Sequence, residues 1–337
     1  MIQVRRILFI TLSNLGDMIL TTPVLSLLRG NFPEANITVL VGPRAYPVLA
    51  GSSLTDEIII YDKESSWLDK WKLVKGLRNS HFDLVVDLKN SALPYLLNSR
   101  VKTSCFRSGF KEIISKREQH LAMLRHFEKE LPLDYGKSVP FDFFSESDLA
   151  AVKNKLLARN IASHHLILMA PGANTHLKRW HAEGFASVAD RLTREQKKKV
   201  VLIGAPSDRA VIDEIMQYAH ERLADFSGET TMRQLAALLS LSDLLVANDS
   251  SPMQLAYEMK IPVAAIFGPT DERKFGRENE TSAVIRKKLP CAPCESAQCM
   301  ISEIKKCLFE IKPEEVYQAC VKLLSHRERS RNAVASI

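Results

Sequence analysis

Asp17, Lys178 and Asp249 each sit in a polar loop that follows an apolar run, and they are the residues of this chain best placed to do chemistry. Asp17 lies in ILFITLSNLGDMILTTPVLSLL, residues 7–28, where an apolar strand passes through a short loop into an amphipathic helix. A strand running straight into a helix puts the intervening loop at the carboxyl edge of a parallel sheet, where α/β proteins bind ligands. A carboxylate there can serve as a general base. The same residue could instead cap a helix beginning at Met18, since Asp is a preferred N-cap residue.

The second half of the chain repeats the arrangement. A strand over 165–170 enters PGANTHLKRW, which carries Asn174, Lys178 and Trp180. A strand over 244–247 enters Asn248-Asp249-Ser250-Ser251-Pro252-Met253-Gln254. Pro252 suits the first turn of a helix, and Ser251 before it can cap. The free amides and dipole of a helix over 252–259 then make an anion site, phosphate above all. Lys178, from another strand-to-helix loop of the same half, can converge on that anion. Lysine and helix end together would stabilise a departing diphosphate without a metal. The plainer readings are a solvated charge for Lys178 and a core anchor for Trp180; Trp180 is assigned to the core.

These loops need a scaffold, and the alternation of strands and helices supplies one. Strands are expected at 4–10, 37–41, 57–61 and 82–88, with a surface helix over 67–79. After a helix over 148–159 the alternation restarts with strands at 165–170, 199–203, 244–247 and 263–267. This predicts two doubly wound parallel sheets. At 337 residues, 46% of them hydrophobic, two cores of ordinary size are expected. The balance of 46 Lys+Arg against 39 Asp+Glu leaves +7, which suits an anionic ligand or membrane surface better than DNA reading. Lys116 and Arg117 fall in a basic segment, 107–129, readable as anion recognition or as a solvated face. No apolar run reaches the roughly 20 residues of a spanning helix, so a cytoplasmic protein is expected, touching a membrane only from outside.

The set Gly16-Asp17 with TTPVLSLLR after it, PGANTHLKRW, NDSSPMQLA and FGPTD resembles glycosyltransferase family nine, the lipopolysaccharide heptosyltransferases, over nearly the whole chain. The resemblance implies a GT-B architecture of two Rossmann-like domains facing across a cleft. Residues 1–160 would bind the acceptor, 161–312 the nucleotide-sugar donor, and a helix within 313–337 would cross back to the first domain. It implies inverting transfer of heptose from ADP-heptose to a sugar of the lipopolysaccharide core and lipid A acceptor. It implies no cofactor and no nucleic-acid partner, and an enzyme working in the cytoplasm or against the inner face of the inner membrane.

Carried over by position, Asp17 is the catalytic base and Lys178 holds the diphosphate. Asp249 and Ser250 fall near the donor, Asn174 contacts it, and Asp208 reaches the ribose. Lys116 and Arg117 are the acceptor-binding candidates. The chain departs from the family pattern at Ser251 and Gln254, where many members carry glycine and histidine. Gln254 donates hydrogen bonds but carries no charge at neutral pH.

Cys291, Cys294, Cys299 and Cys307 crowd one segment, and only the first pair has the usual zinc spacing. Zinc, reduced packing thiols and disulfides all remain open. Rival readings keep the frame and change the sugar, as another nucleotide-sugar transferase or an epimerase, or dispense with turnover, as a nucleotide-sugar binding protein. A nicotinamide oxidoreductase would need the Gly-x-Gly-x-x-Gly fingerprint, and Ser13-Asn14-Leu15-Gly16 supplies one glycine.

Overall fold

The computed structural model describes residues 3–103, 114–127, 130–296, 298–299 and 305–335. They fall into two compact units, Met1–Phe143 and Phe144–Ile337. Each is built on one wholly parallel sheet with a Rossmann-like plan.

The first sheet has strands β1 (Arg6–Ile10), β2 (Asn36–Val41), β3 (Glu57–Ile60), β4 (Leu84–Asp87) and β5 (Val101–Lys102), in the order β3-β2-β1-β4-β5. Ile7 of the central strand stands opposite Ile37 on one side and Leu84 on the other. Ile7, Leu8, Phe9 and Ile10 are all buried. A strand covered on both faces reads as a continuous apolar run rather than an alternation, which is why β1 stands out in the sequence. The helix after it is broken in two, Leu15–Ile19 and Thr22–Asn31. Pro23 could not continue one helix through Ile19, whose carbonyl its ring would strike, and at the break the Thr21 hydroxyl donates to the Met18 carbonyl at 2.6 Å and meets the Thr11 hydroxyl at 2.7 Å. Pro23 then occupies the first turn of the next helix, where its missing N–H costs nothing.

The second sheet has β6 (Leu166–Ala170), β7 (Lys199–Leu202), β8 (Ala224–Asp225), β9 (Ser242–Asn248), β10 (Val263–Ile266) and β11 (Ser282–Ile285), in the order β11-β10-β9-β6-β7-β8. The amphipathic helix Ala182–Gln196 covers it with Phe185, Val188, Ala189 and Leu192 in one core with Trp180.

The two units divide at residue 143, within the 140–163 span expected from the sequence, and the helix Glu146–Ala158 belongs to the second unit. It packs on the helix Met232–Leu241, tied by Arg233 to Asp148 at 3.2 Å and by Lys155 to Gln234 at 3.1 Å. The last helix, Pro313–Ala335, is seated on β9, β10, β11 and the helix Ala182–Gln196. Val316, Tyr317, Cys320, Leu323 and Leu324 bury that face, and the Arg191 guanidinium stacks 3.7 Å from the Tyr317 ring. Among the described residues no helix is long and apolar enough to cross a membrane.

Candidate active site

In the second sheet the chain runs from β6 out to β7 and β8, then returns to β9 on the other side of β6. The loops leaving β6 and β9 therefore part in opposite directions, and a doubly wound sheet binds ligands in the crevice this leaves. Lys178 rises from one of these loops and Asp249 from the other. Lys178 Nζ donates to Asp249 Oδ2 at 2.6 Å, with the carboxylate buried and the ammonium 30% exposed.

The helix Ser251–Glu258 begins beside this pair. Its N-cap is Ser250, one residue earlier than the sequence suggests. The Ser250 hydroxyl donates back to the Asn248 carbonyl at 3.1 Å, so no side chain caps the helix. The positive end of a helix, uncapped, stands next to an ammonium, and together they favour an anion with several acceptor oxygens.

Residues that sequence reasoning did not single out hold the Lys178 loop in place. Buried Asn248 donates to the Pro171 carbonyl at 2.7 Å and accepts from the Trp180 amide at 3.1 Å, so one side chain joins both walls of the crevice. Arg179 donates to the Ala173 carbonyl at 3.2 and 3.0 Å. Lys305 Nζ donates to the His176 and Arg179 carbonyls at 3.0 and 3.1 Å; burial, with the Arg179 charge beside it, pulls its pKa below that of an ordinary lysine. Trp180 is a core anchor as expected, and its indole N–H donates to the Ile311 carbonyl at 3.2 Å.

The remaining donor candidates are placed unequally. Asn174 is exposed in the same loop, and Ser251 is half-buried at the helix start. Asp208 accepts from the Ala205 amide at 2.9 Å and faces Arg179 at 3.5 Å, so its carboxylate already closes its own turn. It also lies so near Gly172 that a Cβ there would collide with it, which explains the glycine. Gln254 is buried and turned toward the next loop, donating to the Phe275 carbonyl at 2.9 Å, while its Oε1 has no hydrogen-bond partner among the described residues.

In the first sheet the switch falls between β1 and β4. Asp17 stands in the helix Leu15–Ile19 at the carboxyl end of β1, within that helix's first turn. It is not the cap: Asn14 holds that position, and its side-chain amide donates to Asp17 Oδ2 at 3.0 Å. Gly42, after β2, lets this loop in close, since a Cβ there would lie 2.8 Å from Ser13 Cβ. Across the switch, the Asp87 carboxylate accepts from the amides of Lys89 and Ser91 and from the Ser91 hydroxyl, and burial raises its pKa.

Lys116 and Arg117 open the helix Lys116–Leu124, with Lys116 Nζ donating to Gln119 at 3.1 Å and Arg117 to Glu118 at 2.7 Å. Arg107, Lys111 and Lys129 of the basic segment lie outside the described residues.

Cys291, Cys294, Cys299 and Cys307 line one cavity of about 270 Å³ with Leu177, Pro269 and Lys305. Cys291, Cys294 and Cys307 are free thiols. Burial, then the neighbouring cysteines, push the Cys307 thiol up. Among the described residues no three His, Cys, Asp or Glu side chains are arranged to hold a metal ion.

A lysine and an uncapped helix start at the switch point of a doubly wound sheet suit a phosphate-bearing ligand. Residues 70–305 match the model of glycosyltransferase family 9 (heptosyltransferase). The chain is 30% identical over 279 residues to lipopolysaccharide heptosyltransferase 3 of Escherichia coli K12, covering 76% of this chain and 80% of that one. Its fold is similar to a family 9 glycosyl transferase from Veillonella parvula, with TM-score 0.80, 23% identity and coverage of 96% and 98%. It is also similar to Escherichia coli ADP-heptose lps heptosyltransferase II, with TM-score 0.74, 22% identity and coverage of 96% and 99%. The chain belongs to glycosyltransferase family 9, the heptosyltransferases.

Proposed function

We propose that this protein transfers a heptosyl unit from ADP-heptose to a sugar hydroxyl of the lipopolysaccharide inner core, with inversion at the anomeric carbon. Donor and acceptor are the classes carried in the names of the two Escherichia coli proteins above. The observation that supports the reading best is the Lys178–Asp249 pair beside the uncapped start of the helix Ser251–Glu258.

Asp17 takes the proton of the acceptor hydroxyl as its oxygen attacks the anomeric carbon. The bond from that carbon to the diphosphate oxygen breaks, and its electron pair leaves with ADP. Lys178 and the amides of the first helical turn take up the charge that develops there, a role this reading gives to no divalent cation. Asn174, Asp249, Ser250 and Ser251 line the donor's place. Gln254 acts by fixing the loop at Phe275, and Lys116 and Arg117 meet phosphates on the acceptor.

The deciding experiment pairs a thermal-shift screen of ADP-, UDP- and GDP-sugars and NAD with a transfer assay in excess chelator. A ligand at a hundred times its Kd stabilises by about 2.7 kcal/mol. ADP-heptose should raise the midpoint and be consumed with chelator present. Stabilisation by UDP-sugars alone would move the protein to another donor, and binding without transfer would make it a sensor.

A further inference from the structure

The helix Trp67–Asn79 in the first unit is built unlike its neighbours. Its inward side carries Leu73, Val74 and the buried Leu77. At 100° per residue, Trp67, Leu68 and Trp71 share an outward arc of about 140° with Lys72, Lys75 and Arg78, Trp67 lying at its edge toward Val74. Trp67 is 74% exposed, Leu68 62% and Trp71 53%. Beside it the short helix Leu93–Leu96 adds Tyr95 and Leu96, 44% and 52% exposed. Lys75 lies 5.2 Å from the Trp71 ring and Lys102 5.9 Å from the Tyr95 ring. The helix's single acid, Asp69, is held by the N-cap Ser66 at 2.6 Å.

Soluble proteins do not leave such large apolar side chains together in water without a use. A protein partner fits poorly, because interface cores are depleted of lysine and these cations stand among the apolar groups. A bilayer surface fits both. Indole and phenol rings settle at the headgroup level, and lysine stems lie along apolar surface while their ammonium groups reach lipid phosphates. Thirteen residues are too few to span the hydrocarbon, so the helix would lie in the plane of the interface.

We propose that this face, Trp67, Leu68, Trp71, Tyr95 and Leu96 with Lys72, Lys75 and Arg78, docks the protein on an anionic lipid bilayer. The inference deepens the proposed function and rests on it only for purpose: a lipid-anchored acceptor is presented on such a surface.

The test uses vesicles free of any saccharide, so lipid binding is read apart from transfer. The full-length protein should sediment with phosphatidylethanolamine vesicles containing phosphatidylglycerol, be released by salt, and ignore pure phosphatidylcholine. The chain has three tryptophans and Trp180 is buried, so a blue shift of emission, and its quenching by brominated acyl chains, report Trp67 and Trp71. Trp67→Ser/Trp71→Ser and Lys72→Glu/Lys75→Glu should each bind about tenfold or more weakly. Both should keep the wild-type midpoint and transfer to a delipidated, water-soluble acceptor at the wild-type rate. Equal binding by wild type and variants, or no binding to anionic vesicles, overturns the proposal. So does a lipid-free blue shift that grows with protein concentration alongside a doubled mass, which would assign the face to a second copy. Failure of transfer with lipid binding intact would instead overturn the transferase reading and leave the docking face standing.

Discussion

Lys178 Nζ sits 2.6 Å from Asp249 Oδ2, although 71 residues separate them in the chain. The pair joins the two loops that diverge where the second sheet changes direction. Removing one such charge stabiliser commonly costs on the order of 3 kcal/mol in the barrier, about a hundredfold in rate. Lys178→Ala should therefore lose both turnover and ADP affinity. Calorimetry showing wild-type ADP affinity in that variant would count against the assigned role.

Asp17 has a different dependence, because it belongs to the first unit, and the loops of Lys178 and Asp249 belong to the second. Asp17→Asn keeps the shape and the contact with Asn14 but removes the acceptor of the proton. Turnover should fall by a hundredfold or more, within the range of general-base effects, while ADP binding stays at the wild-type level. Activity near wild type would rule out the base assignment.

Asn248 predicts a stability effect with a geometric signature. Its amide satisfies a buried carbonyl with one end and a buried N–H with the other. Asn248→Ala leaves both groups unpaired, and should lower the unfolding free energy by about 2 to 4 kcal/mol. Asn248→Asp keeps the acceptor for Trp180 but turns an oxygen toward the Pro171 carbonyl. It should be destabilised at neutral pH and recover partly in acid, measured by denaturant midpoints.

His120 gives the first unit a pH dependence. It is buried on the helix Lys116–Leu124, and its Nδ1 has no hydrogen-bond partner among the described residues. Burial, then the Lys116 charge, lower its pKa from 6.5 to about 4. Between those values the unfolded chain binds a proton that the folded one does not, so stability falls as pH drops from 6.5 toward 4 and levels off below. The drop corresponds to roughly 3 kcal/mol. His120→Phe should flatten the acid limb of a stability profile over that range, and an unchanged limb would refute the assignment.

The fold was readable where burial is complete. Buried strands such as β1 and β6 are unbroken apolar runs, and the helix Trp67–Asn79 has the expected bounds. β5 and β8 have two residues each, too few to carry a pattern. The helix Met232–Leu241 did announce itself through the Thr231 and Gln234 capping box, a signal that a search for strands passes over. Which unit owns the helix Glu146–Ala158 was not legible locally, because it is settled by Arg233 on Asp148 and Glu229 on Arg159, both distant in sequence.

For the site, residue type and loop position picked out Lys178 and Asp249, but their meeting depends on strand order, which no local pattern encodes. Position could not show that Asp208 closes its own turn or that Gln254 faces Phe275, since each depends on a partner distant in sequence.

The loop that carries Lys178 is fastened by Lys305 and by the carbonyl of Ile311, which lie 126 to 131 positions downstream of the groups they bind. During synthesis on the ribosome, the first unit can assemble long before those fasteners emerge. The anion-holding corner of the second unit is thus among the last parts of the protein to be completed, and a nascent chain stopped short of Lys305 has Asn248 and Arg179 to shape that corner but lacks its downstream fasteners.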